Sequence, residues 1–360
     1  MMREKNYSHL RIVTPFGNES GTHPIDDDRL AEKLRLSVYD PLTRKLRLAV
    51  LRGSEQEADI TLPSNCEGLG RVHHFRRQAF DDWPIDPLPM EPAAKALSLS
   101  PDMDMTAQVY QLAACNYRCW YCFVPYSLLH PTPRNSRLVS PDELIELYKA
   151  EESPPRIIDC SGGHPDLVPE WIPGMMVSLY HSGLADHTFL WSDDNLSNYF
   201  FWQYLSKKEI ETVISFRNYS RVGCFKGFSA ESFSFNTKAH PSRFERQFDV
   251  FRRLVMTGVD MFAYVTLTGQ GKGRVVEEIR EFVDRLQDIH PKLPLRTVPL
   301  KILPFKVMHN RKLNSLTEVA LETQLEAVDA WNNELIRRFR SEELARPITD
   351  WDLREKSHGG

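Results

Sequence analysis

The chain lacks most of what would take it out of the ordinary globular class. No apolar run approaches the ~18–20 residues that a membrane helix needs. The opening stretch, MMREKNYSHLRIVTPFG, carries early basic charge but has neither an apolar core nor a small-residue cleavage site, so it does not read as a secretory signal. There is no basic excess: 45 Lys and Arg stand against 49 Asp and Glu, a net charge of −4. That removes the global positive field that would draw nucleic acid, although a local basic patch stays open. There is no repeat and no low-complexity tract. With 41% hydrophobic and 26% charged residues, disorder and fibrous folds are excluded too. Cysteine is scarce, six in 360 residues, which rules out a disulfide framework. The expectation is a cytoplasmic protein, not membrane-bound, with one large α/β domain and an appendage.

What is there divides at about residue 100. Before it, Lys45 to Val50 and Ala58 to Leu62 read as two short strands around the polar tip Arg52-Gly53-Ser54, a β-hairpin. A Pro-rich passage, Trp83 to Pro92, cannot hold a regular helix and reads as an extended linker. After it come strand–loop–helix units. Strands are expected at Met105–Leu112, Arg156–Asp159, His187–Trp191, a stretch ending near Phe225, Met261–Leu267 and Arg296–Leu303. Helices are expected from the capping boxes Ser140–Glu143, Ser242–Glu245 and Ser315–Glu318, and at Trp171–His181 and Gly273–Ile289. In the last helix Leu321, Leu325, Val328, Leu335 and Phe339 form the expected buried stripe.

Six β-then-α units imply a parallel sheet with right-handed crossovers. The predicted architecture is an α/β fold: a partial (βα)6 TIM-like barrel over residues 101–315, an N-terminal extension over 1–100 with mixed or β structure, and a C-terminal helix and polar tail over 316–360. Chemistry in such barrels sits on loops after the strands.

The scarce cysteines are clustered where that rule demands. CNYRCWYC places Cys115, Cys119 and Cys122 directly after the first strand. Three thiolates with this spacing can wrap one cubane cluster, and a [4Fe–4S] cluster so held keeps one iron open. A zinc ion would want four ligands, usually as pairs from two loops. Cys66, Cys160 and Cys224 are scattered and supply no second pair, though a histidine could complete such a site.

This loop, with the aromatic Tyr121 before the third cysteine, resembles the cluster loop of the radical S-adenosylmethionine (radical SAM) enzymes. The resemblance covers roughly residues 104–310. It implies that Cys115, Cys119 and Cys122 hold a [4Fe–4S] cluster whose open iron takes the amino and carboxylate groups of SAM. Reductive cleavage of SAM then yields a 5′-deoxyadenosyl radical that abstracts hydrogen from a substrate.

Further segments resemble the family in turn. Cys160-Ser161-Gly162-Gly163-His164-Pro165 resembles a Gly-Gly-Glu-Pro-like segment that contacts the SAM amino group, with His164 where Glu is usual. This makes Ser161, Gly162 and Gly163 candidates for SAM, beside a plain turn reading. In Trp191-Ser192-Asp193-Asp194-Asn195 the resemblance points to Asp193 ahead of Asp194, although Asp and Asn also cap helices. Cys224-Phe225-Lys226 resembles the Asp-Leu-Lys segment of the subgroup containing glycyl-radical-enzyme activases, and makes Lys226 a clamp on the SAM carboxylate, against a solvated lysine. Thr266 to Gly269 and Lys301 to Phe305 match weakly the adenosine-side segments. His73, His74 and His309 are assigned nothing.

A family fixes the opening step and not the substrate. The resemblance implies a flavodoxin- or ferredoxin-like electron donor and an oxidoreductase or tailoring reaction on a small molecule or nucleotide. The alternatives are an activase that acts on a glycine of a partner protein and a non-catalytic metal-binding protein. No cysteine follows Cys224, which argues against a second cluster.

Overall fold

A computed structural model describes residues 27–59, 62–75, 83–100, 104–271, 273–309, 311 and 315–354. Its strands are β1 (Tyr39–Asp40), β2 (Lys45–Ala49), β3 (Gly70–Phe75), β4 (Met105–Tyr110), β5 (Ser136–Val139), β6 (Ile157–Cys160), β7 (Phe189–Asp194), β8 (Tyr219–Phe225), β9 (Met261–Thr266) and β10 (Thr297–Leu300). Its main helices are α1 (Asp27–Val38), α2 (Met90–Leu97), α3 (Pro141–Lys149), α4 (Trp171–His181), α5 (Phe200–Tyr204), α6 (Lys207–Ser215), α7 (Ala230–Thr237), α8 (Phe244–Thr257), α9 (Val275–Ile289), α10 (Lys306–His309) and α11 (Ser315–Arg338).

The principal sheet has the order β10-β9-β8-β7-β6-β4-β3. The six strands from β4 to β10 are parallel, and β3 closes one edge antiparallel to β4. The sheet curls into a half-barrel, the partial TIM-like barrel that six consecutive βα units require.

The pleat assigns residues to two faces. On the convex side Ile158, Leu190, Phe225, Ala263 and Val265 join the helices in the larger core. Phe225 meets Phe248 of α8 at 5.0 Å and Phe282 of α9 at 5.5 Å, and Phe282 meets Trp331 of α11 at 6.3 Å. The concave side carries Met105, Ala107, Val109, Ile157, Phe189, Trp191, Val222 and Phe262. Its lower half is filled by Leu88, Met90, Ala93 and Ala94, on or just before α2. A segment of the N-terminal hundred residues therefore plugs the barrel floor.

Local signals explain most helix starts. Ser140 caps α3 through the Glu143 amide, and Glu143 returns the bond to the Ser140 amide. Two further boxes, Ser206 with Glu209 and Ser229 with Ser232, open α6 and α7.

Three expectations are corrected. First, β2 pairs with β1 and β5 rather than with a hairpin partner at 58–62. Residues 58 and 59 end a 3-10 turn, Glu55–Asp59, and residues 60–61 lie outside the described set. Second, Ser242 does not cap α8. Pro141's counterpart here, Pro241, opens a 3-10 turn, and the His240 ring accepts from the Ser242 amide, so α8 begins at Phe244. Third, the buried face of α11 is broader than the expected stripe: Val328 and Phe339 are buried and Leu321 and Leu335 pack against the core, but Ala320, Gln324, Ala327, Trp331 and Glu334 are buried too, and Leu325 is exposed. Small residues and one Trp let α11 lie against α9, so burial follows fit rather than hydropathy.

Behind the sheet one buried cation ties three segments together. The Arg221 guanidinium of β8 donates to Asp166 at 2.9 Å, reaches Asp194 of β7 at 3.5 Å, and donates through Nε to the Tyr219 hydroxyl at 3.0 Å. Burial and the neighbouring Asp166 push the Asp194 carboxyl well above its ordinary range. Replacing Arg221 by Ala leaves buried carboxylate uncompensated, so urea unfolding of Arg221→Ala is expected to show a loss of about 3–5 kcal/mol.

Candidate active site

The loop after β4 is held from outside. The Arg118 guanidinium donates to the carbonyls of Cys115 (2.6 Å) and Tyr117 (2.7 Å). Arg311 donates to those of Trp120 (3.0 Å), Cys122 (2.5 Å) and Val124 (2.6 Å), and the Tyr126 hydroxyl donates to that of Cys119 (3.0 Å). The amides of Arg118 and Trp120 donate to Thr237 and Asn236 at the end of α7. With its carbonyls engaged, the loop leaves its three sulfurs to the interior. Cys119 is buried and Cys115 and Cys122 are partly so.

The thiols share one electrostatic neighbourhood. Burial raises Cys119 to about 12, with Lys226 pulling the other way and Cys122 and Cys115 adding to the rise. Burial likewise raises Cys115, which feels Arg118, Cys122 and Lys226. A thiolate ligand here must be formed by the metal that takes it, with release of protons. Among the described residues no three His, Cys, Asp or Glu side chains gather tightly enough for a single metal ion.

A polar chain supports Cys115. Asn195 Nδ2 lies 3.8 Å from the Cys115 sulfur and donates to Asn116 Oδ1 at 3.1 Å, and Asn116 Nδ2 donates to the Ser197 hydroxyl at 2.9 Å. His164 ends the chain: Asn198 Nδ2 donates to its Nε2 at 2.8 Å, and Ser197 Oγ stands 3.2 Å away. His164 is fully buried, and burial with the Lys226 and Arg221 charges holds it well below its ordinary range, hence neutral. It takes no carboxylate role; its place is in the scaffold of the cysteine loop.

The turn after β6 is joined to that loop. Gly162 and Gly163 have φ of 89° and 67°, the left-handed region open to glycine. The Leu112 amide donates to the Gly162 carbonyl, and the His164 amide donates to the Ala114 carbonyl at 2.7 Å. A Cβ on Gly163 would stand 2.2 Å from the Leu112 oxygen and 2.7 Å from that of Ala114.

The other candidates meet around Lys226, at the end of β8. Burial opposes its charge, but Cys224, Tyr121, Cys119 and Asp193 hold the ammonium well above its ordinary range. Its Nζ makes no hydrogen bond or ion pair among the described residues. Asp193 faces the concave side and accepts from the Ser161 hydroxyl at 2.7 Å; Asp194, the next residue, faces Arg221 on the other side. Burial raises Asp193, with Ser161 and Lys226 acting against it. Tyr121 is buried and its hydroxyl pairs with Thr266 Oγ1 at 3.0 Å. Cys115, Cys119, Cys122, Tyr121, Ser161, Gly162, Gly163, Asp193 and Lys226 thus stand on one rim, at the C-terminal ends of β4, β6, β7 and β8.

The weaker matches serve structure. Thr268 Oγ1 donates to Asn236 at 2.8 Å, and the buried Gln324 of α11 brackets both backbone groups of Ile302. His74 is exposed, burial lowers His73 to about 4, and the His309 side chain lies outside the described residues.

Three residues on the concave face escaped sequence reasoning. Asp159 of β6 is 7% exposed and Arg71 of β3 faces it across β4. Asp86, from the Pro-rich segment, accepts from the Leu88 amide at 2.9 Å and from the Tyr264 hydroxyl at 2.9 Å. Asp159 left one signal, a lone acid in Ile-Ile-Asp-Cys; Asp86 left none.

Residues 111–181 match the family model of the Radical SAM superfamily, a stretch that includes the cysteine loop and the Gly162-Gly163 turn. No curated protein matches the sequence. Among solved structures, Streptococcus suis SuiB bound to S-adenosylmethionine is similar at 16% identity and TM-score 0.37, over 50% of this chain and 37% of that one. The structure of anSMEcpe with bound AdoMet is similar at 16% identity and TM-score 0.37, over 53% and 48% of the two chains. The alignments thus span less than half the length of either protein. No described helix is long and apolar enough to cross a membrane.

Two outcomes are expected. Gly163→Ala should lower stability by about 2–5 kcal/mol, overpacking against two carbonyls added to the backbone strain at its φ of 67°. Gly53→Ala is its control: φ there is 72° with nothing within 4 Å of the added Cβ, so it should cost only the backbone strain of about 1–2 kcal/mol. Separately, burial raises Asp86 to about 6 from 3.8, with Leu88 and Tyr264 resisting and Asp193 adding to the rise. A raised carboxyl contributes stability at low pH that is lost as pH rises through its folded value. Thermal melts should therefore show on the order of 3 kcal/mol lost between about pH 4 and 7 that is absent in Asp86→Asn.

Proposed function

We propose that this protein is a radical SAM enzyme that binds one [4Fe–4S] cluster through Cys115, Cys119 and Cys122 and acts on a small-molecule substrate within the half-barrel. The observation that carries the reading is the placement, on one strand-end rim, of three thiols from a single loop and the ammonium of Lys226, which makes no hydrogen bond or ion pair among the described residues. The family match over residues 111–181 supports it.

The donor set fits the cluster. Its carbonyls are tied outward by Arg118 and Arg311, and Gly163 brings the second loop against the first with no room for a side chain. When bound, such a cluster would supply one electron for cleavage of SAM to methionine and a 5′-deoxyadenosyl radical. The chain's own residues orient and shield. Lys226, without a hydrogen bond or ion pair among the described residues, is the clamp for the SAM carboxylate, worth about 1.5–3 kcal/mol as a charge-assisted bond. Asp193 and the Ser161–Gly163 backbone face the SAM amino group. Tyr121 and Thr266 close the wall beside Cys119 and keep water away. The electron would come from a flavodoxin- or ferredoxin-like donor.

The test is anaerobic. Protein reconstituted with iron and sulfide, reduced with dithionite and given SAM should release 5′-deoxyadenosine, detected by mass spectrometry. Cys119→Ala should lose both cluster and product. Lys226→Ala should keep its iron and weaken SAM binding by about tenfold or more. A Cys119→Ala variant with full iron, sulfide and activity would overturn the assignment, and unchanged SAM affinity in Lys226→Ala would remove the clamp.

A further inference from the structure

The hollow of the half-barrel, between the rim and the α2 plug, holds charge that the protein itself does not neutralise. Asp159 projects into it from β6. It is 93% buried, its Oδ1 has no hydrogen-bond partner, and neither oxygen takes an ion pair among the described residues. Arg71 is near enough to be felt by Asp159 and Asp193, but its guanidinium is turned to the His73 ring nitrogen at 3.1 Å and the Phe123 ring at 5.4 Å. Asp86 faces the same space, held by Tyr264 and Leu88 and sensing Asp193. The partial exposure of Arg71, Asp86, Asp193, Tyr264 and Lys226 marks open room among them.

A buried acid without a partner is expensive, several kcal/mol for the charged form, and buried polar groups in folded proteins are nearly always satisfied. On a strand that is otherwise Ile-Ile-Cys, an aliphatic residue would pack at no such cost. Among the described residues Arg71 lends Asp159 its field but no hydrogen bond or ion pair. Tyr264 is already spent on Asp86, and Arg71 points elsewhere. What is missing is a donor with positive charge that arrives from outside.

We infer that Asp159 forms the recognition site for a cationic nitrogen, an ammonium or guanidinium group, on the substrate. The inference rests on the radical SAM reading of the rim and names the substrate class that reading leaves open. The register supports its reach. Asp159 lies opposite Trp191, two residues below Asp193 on the neighbouring strand. With strands about 4.8 Å apart and a rise of about 3.3 Å per residue, the two Cα atoms stand about 8 Å apart. A substrate anchored at Asp159 by its nitrogen therefore sets carbons three to five bonds away beside Asp193 and Lys226, where the rim chemistry occurs. Charge neutralisation would also hold both acids ionised, since burial now raises Asp159 well above its ordinary range and Asp193 adds to that.

The test uses the reconstituted protein with SAM bound, at neutral pH, and ligand-observed NMR titrations of four small probes. n-Butylammonium and n-butylguanidinium are the cations; n-butanol and n-butyrate are the neutral and anionic controls. At least one cation is expected to bind at least tenfold more tightly than either control, and Asp159→Asn is expected to abolish that preference. Asp86→Asn, whose Oδ1 still accepts from the Leu88 amide while its Nδ2 donates to the Tyr264 hydroxyl, is expected to weaken cation binding less than Asp159→Asn does. Cations that bind no better than butanol to the wild-type protein overturn the inference without any variant. So does a cation preference that survives in folded Asp159→Asn. Formation of 5′-deoxyadenosine in the same preparations separates the two readings: product without cation selectivity sinks only this site, while absence of cluster and product sinks the radical SAM assignment.

Discussion

The period-two pleat of a parallel sheet governs this molecule. Each strand of the half-barrel sends alternate side chains to faces of opposite character. One face is covered by helices over its whole length and is filled with Phe, Leu and Val. The other is covered only below, by α2 and the Leu88–Met90 segment, and opens above. A polar residue at an outward position must find a partner within the helix layer, as Arg221 does with Asp166 and Asp194. A polar residue at an inward position near the strand end faces the hollow. Asp159, Asp193 and Lys226 are of that second kind, and the difference between Asp193 and Asp194 is a single step along one strand.

Charge balance then separates structure from chemistry. Arg221 is held by two acids and a phenol, so it stiffens the back of the sheet. Lys226 is surrounded by groups that favour its charge but is bonded to none of them. The cysteine loop shows the same division, with carbonyls bound outward by Arg118 and Arg311 and sulfurs inward. The buried chain from Asn195 to His164 braces Cys115 from the side away from the hollow. Stiffness lies on one side and unsatisfied capacity on the other.

Much of this was legible early, because its signals are local. Three cysteines in eight positions report a shared loop whatever the rest of the chain does. Capping boxes and hydrophobic periodicity located the βα units, and paired glycines marked the turn at Gly162 and Gly163. The misreadings have a common cause. The hairpin expected around Arg52 to Ser54 failed because β2 found a partner in β5, some ninety residues later. Pro241 displaced the cap expected at Ser242, and within the α11 stripe Leu325 alone is exposed while Ala and Trp beside it fit α9. Asp86 sits in a segment that reads as a linker, and nothing local says that it turns under the barrel.

The sequence by itself determined the order of the strands and helices, the loop that gathers the thiols, and the residues able to do chemistry after each strand. Those follow from short-range rules of backbone geometry, capping and spacing. Only the tertiary structure decided which face each residue sees, that Lys226 stands unpaired amid the thiols and Asp193, that His164 serves the scaffold, and that Asp86 and Asp159 share one hollow. Burial, field and partner are properties of the whole packing, set by residues hundreds of positions apart.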